Sequence, residues 1–408
     1  MGGGAQIVVV GIGADGWEGL APAARAAILD ADEVFGSRRQ LELLPAHAPP
    51  RRAWPTPLAS AVQELLDRPQ GNVCVLASGD PMLHGIGATL AARLDRRRLR
   101  VIPHVSAFSL ACARLGWAAA EVELVSAVAR PPEVVARALQ PGRRIVVYVT
   151  GAGGAANVAR VVCRCGCAPS RFVVLEQLGG PAERVIETTA AEFGQRQVDP
   201  LHVVAIECAR EPTAALRARV PGLPDAAYES DGALTKHAAR AVALAALAPT
   251  PRGLLWDVGA GSGSVAVEWL RCEPSARAIA VERRPDRLER VRRNALALGV
   301  PWLETVAGEA PGVLAALPPP DAVFVGGGVS ADGMLESCWR ALLPGGRIVA
   351  HAVTLEGESA LVAARGRHGG ELLRLEVSHA AALGGFSAWR PQLPLVQWVC
   401  EKPPAEGR

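Results

Sequence analysis

The chain has 408 residues, half of them hydrophobic and a fifth charged, with a formal net charge of +3 at pH 7. At roughly 150 residues per domain, this length predicts two or three domains, and the apolar composition argues against disorder. The near-neutral charge gives no general reason to expect a nucleic-acid partner. No apolar run reaches the roughly 18 residues of a membrane span, so we expect no membrane association.

The N-terminus and the cysteines bear on location. The opening residues "MGGGAQIVVV" lack the basic region of a signal peptide, so none is expected. Of the nine cysteines, Cys163, Cys165 and Cys167 form one cluster, and no CxxC pair occurs. This usage predicts reduced thiols in a cytoplasmic protein. Because the cluster has neither a nearby histidine nor a second cysteine pair, we expect no metal site.

The first half begins with a buried strand. Residues 7–10 are a continuous apolar run, as expected of a strand covered on both faces. Gly11 and Gly13 follow, and Pro22 suits the first turn of a helix that runs to about Asp30. Further strands are predicted at 73–76, 99–102, 122–125, 144–149, 171–175 and 202–206. Their alternation with helices predicts an α/β fold with a largely parallel sheet.

A segment without a regular hydrophobic period separates the two halves. Residues 211–230 carry three prolines and no clear period, so we interpret them as a linker between domains 1–210 and 231–408. A helix is predicted at 235–247. Strands are predicted after it at 254–257, 277–281, 302–306, 321–325, 346–350, 371–378 and 393–400.

The second half opens with the glycine turn "DVGAGSGS". Its glycines, Gly259, Gly261 and Gly263, fall at every second position, whereas dinucleotide-binding turns follow GxGxxG. Asp257 ends the strand, where a carboxylate would repel a pyrophosphate but would suit a cationic group such as the amino group of S-adenosylmethionine. The glycines allow the backbone to approach such a ligand closely.

Three later strand ends support the same cofactor. Glu282 ends the next strand and could accept hydrogen bonds from ribose hydroxyls. Gly308 and Glu309 follow the third strand, where an adenine edge would lie. The glycines 326–328 follow the fourth strand, at the edge where open α/β sheets bind ligands. Together these signals predict a Rossmann-like class I methyltransferase domain.

The C-terminal half resembles a known family. The segment "DGALTKHAARAVALAAL", the glycine turn and "FVGGG" are similar to the small methyltransferases of corrin-ring synthesis, over about residues 231–400. The resemblance implies methylation of a precorrin at its C15 meso carbon, with removal of a carboxyl group from an acetate side chain.

The N-terminal half resembles a different family. The start "VGIGADGWEGLAPAA", the stretch "VCVLASGDPMLHGIGATL" and the segment "VIPHVSAFSLACARLGW" are similar to the tetrapyrrole methylases, over about residues 5–208. These enzymes have two α/β subdomains and bind S-adenosylmethionine in the cleft between them. The resemblance implies the following cofactor-binding residues: Gly11, Gly13, Gly79, Asp80, Pro81 and Ser106.

The first turn departs from that family. It often reads GxGPGxxxxLT, whereas Ala14 and Asp15 replace Pro-Gly here and Ala21 replaces Thr. Ala21 removes a hydroxyl that could cap the helix. The departure leaves open that the N-terminal domain has lost catalysis and serves in docking or dimerisation.

This order of domains resembles a bifunctional enzyme family of cobalamin biosynthesis. The resemblance implies two S-adenosylmethionine sites per chain and one precorrin substrate. It also implies methylation at C5 by the N-terminal domain and at C15 by the C-terminal domain, with one decarboxylation. We also expect a homo-oligomer. RNA modification is an alternative, since related N-terminal folds methylate ribosomal RNA, but it predicts a basic surface that the composition does not favour. Cofactor stoichiometry separates two active sites from one.

The chemistry calls for few acid–base residues. The meso carbons of a reduced tetrapyrrole are already nucleophilic, so most of the rate can come from positioning and desolvation. Cations should surround the substrate's carboxylates. Lys236 and His237 are candidates, although Lys236 could be a solvated first-turn lysine. His351 could be a proton donor or a satisfied core histidine. The arginines of 283–293 are interpreted mostly as a solvated face.

Overall fold

The computed structural model describes residues 6–68 and 70–404. Their contacts form two compact units, Met1–Ala214 and Ala215–Arg408, which we call the N-terminal and C-terminal domains. Within the described residues, no helix combines the length and the apolar character needed to cross a membrane. The same residues contain no group of three or more His, Cys, Asp or Glu placed to hold a metal ion.

The N-terminal domain contains two five-stranded sheets. Its strands are β1 (Gln6–Ile12), β2 (Glu33–Gly36), β3 (Arg51–Ala53), β4 (Asn72–Ser78), β5 (Leu99–Ile102), β6 (Val122–Ser126), β7 (Arg144–Tyr148), β8 (Arg171–Glu176), β9 (Arg184–Thr189) and β10 (His202–Glu207). Its helices are α1 (Pro22–Leu29), α2 (Arg38–Glu42), α3 (Leu58–Asp67), α4 (Ile86–Ala91), α5 (Ala107–Leu115), α6 (Gly154–Arg164) and α7 (Ala190–Phe193).

The first sheet matches the predicted parallel arrangement. Its order is β3-β2-β4-β1-β5 and its pairings are parallel. The apolar run of β1 is covered on both faces, because Ile7 and Val9 belong to one core cluster and Val10 and Ile12 to another. At the start of α1, Ala21 makes no side-chain capping bond.

The second sheet differs from the prediction. Its order is β6-β7-β10-β8-β9, and β10 runs antiparallel to both of its neighbours. Strand β9 is also antiparallel to β8, which leaves β6 and β7 as the parallel pair. The strand–helix–strand alternation of β7, α6 and β8 was the basis for expecting a largely parallel sheet, but β10 lies between the two strands. The alternation cannot reveal that a later strand inserts between the two.

The C-terminal domain has a seven-stranded sheet and a separate hairpin. Its strands are β11 (Leu254–Val258), β12 (Arg277–Glu282), β13 (Glu304–Ala307), β14 (Ala322–Val325), β15 (Arg347–Ala352), β16 (Glu371–Leu375), β17 (Ser378–Leu383), β18 (Phe386–Pro391) and β19 (Leu395–Glu401). Its helices are α8 (His237–Leu247), α9 (Ser264–Cys272), α10 (Pro285–Ala297), α11 (Met334–Ala341) and α12 (Leu355–His368).

The sheet order, β13-β12-β11-β14-β15-β19-β16, reverses direction between β11 and β14. Open α/β sheets bind ligands at such a reversal, beyond the carboxyl ends of the strands. The predicted strand 371–378 is wrong in one respect, since β16 ends at Leu375 and β17 pairs with β18 instead of the main sheet. The pair Gly384-Gly385 between β17 and β18 is a typical hairpin turn and was the available signal.

Most of the predicted linker belongs to the C-terminal domain. Leu223 and Tyr228 are buried in its core. The Glu268 carboxylate accepts hydrogen bonds from the amide nitrogens of Gly222 (2.6 Å) and Leu223 (3.1 Å), and from the Tyr228 hydroxyl (2.8 Å). The prolines prevent a helical or strand period, but they do not prevent this segment from packing. It is therefore not a free linker from Ala215 onward.

Candidate active sites

Two adjoining cavities lie at the reversal of the C-terminal sheet. The first, of about 260 Å³, is lined by Glu282, Gly308 and Glu309, and we call it the Glu282 cavity. The second, of about 580 Å³, is lined by residues 232–236 and His351, and we call it the His351 cavity. Gly259, Arg287 and Gly327 line both. The two cavities therefore meet at the glycine turn.

The glycines of the turn permit close backbone contacts. Gly259 and Gly261 have φ values of +69° and +59°. A Cβ atom on Gly261 would lie 2.9 Å from the Ala233 carbonyl oxygen, and one on Gly259 would lie 3.0 Å from the Gly327 nitrogen. Gly263 does not line either cavity. A Cβ there would lie 2.7 Å from Cγ1 of Val291, so this glycine permits α9 to pack against α10.

Asp257 does not face the cavities. Its side chain is buried and accepts a hydrogen bond from the Ala266 amide (3.0 Å), which fixes the first turn of α9. Burial raises the pKa of this carboxyl to about 7. Strand alternation places Asp257 on the same face of β11 as Leu255, which packs among the residues of α9. The interpretation that Asp257 directly faces a ligand amino group does not fit this position.

Glu282 occupies the predicted position at the end of β12. Its buried carboxylate accepts hydrogen bonds from the amides of Gly261 (2.9 Å to Oε2) and Arg284 (3.0 Å to Oε1). Each carboxylate oxygen has two lone pairs, so both can still accept a hydroxyl hydrogen. Glu309 lies at the exposed rim, paired with Arg283 at 3.0 Å. The structure thus brings Glu282, Gly308 and Glu309 to one cavity.

The basic candidates occupy different positions. Lys236 precedes α8, is exposed and lines the His351 cavity. His237 is also exposed, and its ring centroid lies 6.1 Å from that of His379, outside the cavity lining. Lys236 can therefore reach a ligand in the cavity, whereas His237 lies beside it.

His351 is buried, but only one of its two ring nitrogens has a hydrogen-bond partner. Its Nε2 donates to Oε1 of Gln397 (2.8 Å), and its buried Nδ1 has no partner. Burial lowers the pKa of this imidazole to about 4. The ring is therefore neutral at neutral pH, with the Nε2 proton engaged. Nδ1 remains as an acceptor in a side chain that lines the cavity.

The N-terminal cavity lies between the two sheets of that domain. This inter-sheet cleft, of about 80 Å³, is lined by Gly13 and Ala14 after β1 and by Ser78 and Gly79 at the end of β4. The second sheet contributes residues 201–203. The two predicted glycine turns therefore meet in one cleft.

The other predicted N-terminal residues shape the surrounding loops. A Cβ on Gly11 would lie 2.0 Å from the Gly79 carbonyl oxygen, so Gly11 permits the two turns to pack together. Asp80 accepts from the Met82 amide (2.8 Å), and Ser106 accepts from the Ser109 amide (3.0 Å) at the start of α5. Pro81 packs closely against the backbone at Gly85. Of these four, none lines the inter-sheet cleft.

The altered first turn contacts a histidine of a later loop. Nε2 of His104 lies 3.1 Å from a carboxylate oxygen of Asp15, and both side chains are partly buried. Ala14 beside it lines the inter-sheet cleft. The departure at 14–15 therefore adds a side-chain bridge to the loop between β5 and α5.

Comparison with known proteins identifies both halves. Residues 6–194 match the family model for tetrapyrrole (corrin/porphyrin) methylases, and residues 226–402 match the one for precorrin methyltransferase domains. A precorrin-6Y C(5,15)-methyltransferase [decarboxylating] of Sinorhizobium sp is 43% identical over 397 residues, which cover 97% of this chain and 96% of that protein. The chain belongs to the precorrin-6Y C(5,15)-methyltransferase family.

Single-reaction proteins from Salmonella typhimurium (strain LT2) match parts of the chain. A cobalt-precorrin-7 C(5)-methyltransferase is 30% identical over 44% of this chain and 89% of its own length. A cobalt-precorrin-6B C(15)-methyltransferase (decarboxylating) is 31% identical over 41% of this chain and 89% of its own length. Membership of the precorrin-6Y C(5,15)-methyltransferase family argues against the RNA-modifying alternative.

Two ionisable residues of this family member's inter-sheet cleft were missed from the sequence. Arg39 lies in the first turn of α2, and His202 begins β10. Nδ1 of His202 donates to the Asp199 carbonyl (2.6 Å), whereas its buried Nε2 has no partner. The capping-box pattern Ser37–Gln40 could have located α2. No local pattern marks His202.

Proposed function

We propose that each domain binds one S-adenosylmethionine and methylates a meso carbon of one precorrin. The N-terminal domain acts at C5. The C-terminal domain acts at C15 and removes a carboxyl group from an acetate side chain. The observation that carries this proposal is that each domain has its own cleft where glycine turns follow buried strands. The single-reaction relatives, each matching a domain-sized part of the chain, support it.

In the C-terminal domain, we assign the nucleoside to the Glu282 cavity and the reacting groups to the His351 cavity. Glu282 accepts the ribose hydroxyls, and the backbone at Gly308 and Glu309 borders the adenine. Gly259 and Gly261 let the methionine part pass between the two cavities. Asp257 acts indirectly, because it fixes the first turn of α9. The bound cofactor supplies an electrophilic methyl group, and Lys236 holds a substrate carboxylate.

Proton balance suggests a role for His351. Replacing the meso hydrogen by a methyl group releases one proton, and converting the acetate side chain to a methyl group with loss of carbon dioxide consumes one. We propose that Nδ1 of His351 accepts the first proton and returns it to the side-chain carbon. Because the pKa is lowered to about 4, the imidazole is unprotonated at neutral pH, and its protonated form is a stronger acid than an ordinary imidazolium.

The test is incubation of the full chain with the precorrin and methyl-labelled S-adenosylmethionine, followed by product mass. Two added methyl groups and the loss of one carbon dioxide are expected. With His351→Gln, we expect the C15 step to slow at least about tenfold while the C5 step continues. Equal rates at C15 for both proteins would remove His351 from the reaction.

The same proposal predicts two cofactor molecules per chain. A catalytically inactive N-terminal domain is the competing possibility, to which the Asp15–His104 contact at the first turn gives some support. Calorimetric titration with S-adenosylhomocysteine distinguishes them by a stoichiometry near two or near one.

We also propose a homo-oligomer that associates through the β17–β18 hairpin. Three large apolar side chains there are exposed: Leu383 by 61%, Phe386 by 83% and Trp389 by 74%. A two-stranded hairpin with apolar side chains on its surface is unstable by itself and suits association with another copy. Sedimentation of the Phe386→Ser, Trp389→Ser double variant should show a smaller species than the wild type.

We assign the protein to the cytoplasm. None of the nine cysteines forms a disulfide bond, as is usual in a reducing compartment. Fluorescence of a tagged full-length chain in its host cell tests this location.

A further inference from the structure

Helix α2 is fixed to the edge of the inter-sheet cleft. The Ser37 hydroxyl accepts from the Gln40 amide (3.3 Å), and Oε1 of Gln40 accepts from the Ser37 amide (2.8 Å), which closes a capping box. Nε2 of Gln40 then donates to the Ser78 hydroxyl (3.1 Å) at the end of β4. The first turn of α2 is therefore held against the strand end that opens the cleft.

The Arg39 side chain is held by the same strand end. Its Nη2 donates to the same Ser78 hydroxyl (3.1 Å), and the side chain lines the cleft opposite apolar residues of the second sheet, including Leu175 and Val203. A guanidinium has five N–H donors. The bond to Ser78 is its one polar contact within the described residues, so most of its donors are unused there.

Other arginines of this domain are paired differently. Arg52 binds both oxygens of Glu64 (2.6 and 2.7 Å), and Arg171 binds both oxygens of Glu187 (2.7 and 2.9 Å). Arg39 forms no ion pair with the carboxylates of residues 6–68 and 70–404. Asp199 is near enough to act on its charge, but Oδ1 of Asp199 already accepts from Gln177 and Leu201.

The Arg39 guanidinium has no bound carboxylate among the described residues. Burial lowers the pKa of the Arg39 guanidinium and the charge of Asp199 offsets this only in part, so the guanidinium is partly removed from water with no directly bound counter-ion in the part of the chain that the structure describes. Such a group gains most from a carboxylate bound in the fork geometry of two parallel N–H···O bonds. A ligand in the cleft can supply that carboxylate, since the cleft's own lining includes none.

We propose that Arg39 is the carboxylate anchor of the N-terminal site, and that its guanidinium binds a carboxylate of the molecule occupying the inter-sheet cleft. The inference rests on the proposed function and identifies a substrate-binding residue for it. Two molecules offer this chemistry: an acetate or propionate side chain of the precorrin, and the methionine part of S-adenosylmethionine. Both would be held by the same fork of donors.

The test uses the full chain, with Arg39→Gln and Arg39→Lys compared with wild type. Arg38→Gln is the matched control, because Arg38 is the exposed neighbour on α2 and does not line the cleft. We expect Arg39→Gln to weaken the C5 step at least tenfold in kcat/KM, with Arg39→Lys intermediate. Methylation at C15 and release of carbon dioxide by the same molecules should be unchanged, which also reports that the variant is folded.

The two sources of the carboxylate give different results. A raised KM for the precorrin, with unchanged affinity for S-adenosylhomocysteine, identifies a precorrin side chain. Weakened affinity at one of the two sites identifies the methionine carboxylate. An Arg39→Gln enzyme with wild-type KM and affinity would overturn the proposal. Failure of the proposed function is a separate outcome, because the wild-type chain itself would then add no methyl group at C5.

Discussion

The two clefts present different polar groups to what they bind. The Glu282 cavity has a buried carboxylate, held by two backbone amides, at the end of a parallel strand. The described lining of the inter-sheet cleft includes no carboxylate and offers Arg39, Ser78 and backbone atoms instead. If both bind the same cofactor, they must recognise it through different groups. A carboxylate can bind the ribose hydroxyls in the C-terminal domain, whereas main-chain atoms have to bind them in the N-terminal domain.

The two clefts share one structural feature. Each contains a buried histidine with one nitrogen bound to the protein and the other without a partner: His202 in the first domain and His351 in the second. Burial lowers the pKa of both imidazoles, so both are neutral acceptors near neutral pH. The polar groups differ between the clefts, but both clefts offer a neutral imidazole that can accept a hydrogen bond.

The largest expected effect comes from closing one cleft alone. In Gly261→Val the new side chain begins 2.9 Å from the Ala233 carbonyl oxygen, at a φ of +59° that a β-branched residue avoids. It would displace residues 232–236, including Lys236. We expect the C15 step to fall by at least about a hundredfold, roughly 2.7 kcal/mol in the barrier. The product should carry one added methyl group and retain its acetate carboxyl.

Mass spectrometry of the product checks this prediction. Gly345→Val is a control, since Gly345 also has a positive φ (+75°) but has no atoms near its Cβ position. A decarboxylated product from Gly261→Val would place that step outside the His351 cavity.

A second large effect concerns where the C-terminal domain begins. A fragment 215–408 keeps Leu223 and Tyr228 in its core, whereas a fragment 231–408 loses them and three of the donors to Glu268. At roughly 1.5–3 kcal/mol for each buried large apolar side chain, the shorter fragment should be less stable by several kcal/mol. Urea unfolding of both fragments measures this difference. Equal midpoints would mean that residues 215–230 do not stabilise the domain.

The third prediction tests the acid that distinguishes the clefts. Glu282→Ala removes charge-assisted hydrogen bonds worth about 1.5–3 kcal/mol each, so one of the two cofactor-binding events should weaken at least tenfold. Glu309→Ala is the matched control, because Glu309 lines the same cavity but is 74% exposed. Its loss should change affinity less than about fivefold. Calorimetry of the full chain measures both, and equal effects would place the cofactor at the rim.

Much of this architecture could be predicted from local patterns. The strand ends near Asp257, at Glu282 and at Val325, and the glycines that follow them, can be predicted from short runs of sequence. Residues that depend on distant partners could not be predicted. Arg39 meets Ser78 across 39 positions, and strand β10 enters a sheet whose neighbours precede it by more than 25 residues. The direction of Asp257 depends on which sheet face α9 covers, and the sequence leaves that open.

The smallest expected effect concerns Asp257, whose carboxyl lies beneath the turn. Asp257→Asn keeps an oxygen that can accept from the Ala266 amide, so the start of α9 should be preserved. We expect the C15 rate and the cofactor affinity to change by less than about threefold, since the side chain does not line either cavity. A tenfold loss of affinity in Asp257→Asn would show instead that the charge is sensed by the cofactor.

The pH dependence of stability gives an independent measurement. Burial raises the pKa of Asp257 in the folded protein to about 7, above the roughly 3.9 of an unfolded chain. Between these values the folded state binds more protons, so this group's contribution to stability is complete below about pH 4 and is lost as the pH rises through 7. Asp257→Asn does not titrate. Its stability relative to wild type should therefore increase from pH 4 to pH 7.5, and a constant difference would mean that the carboxyl is not titrating in this range.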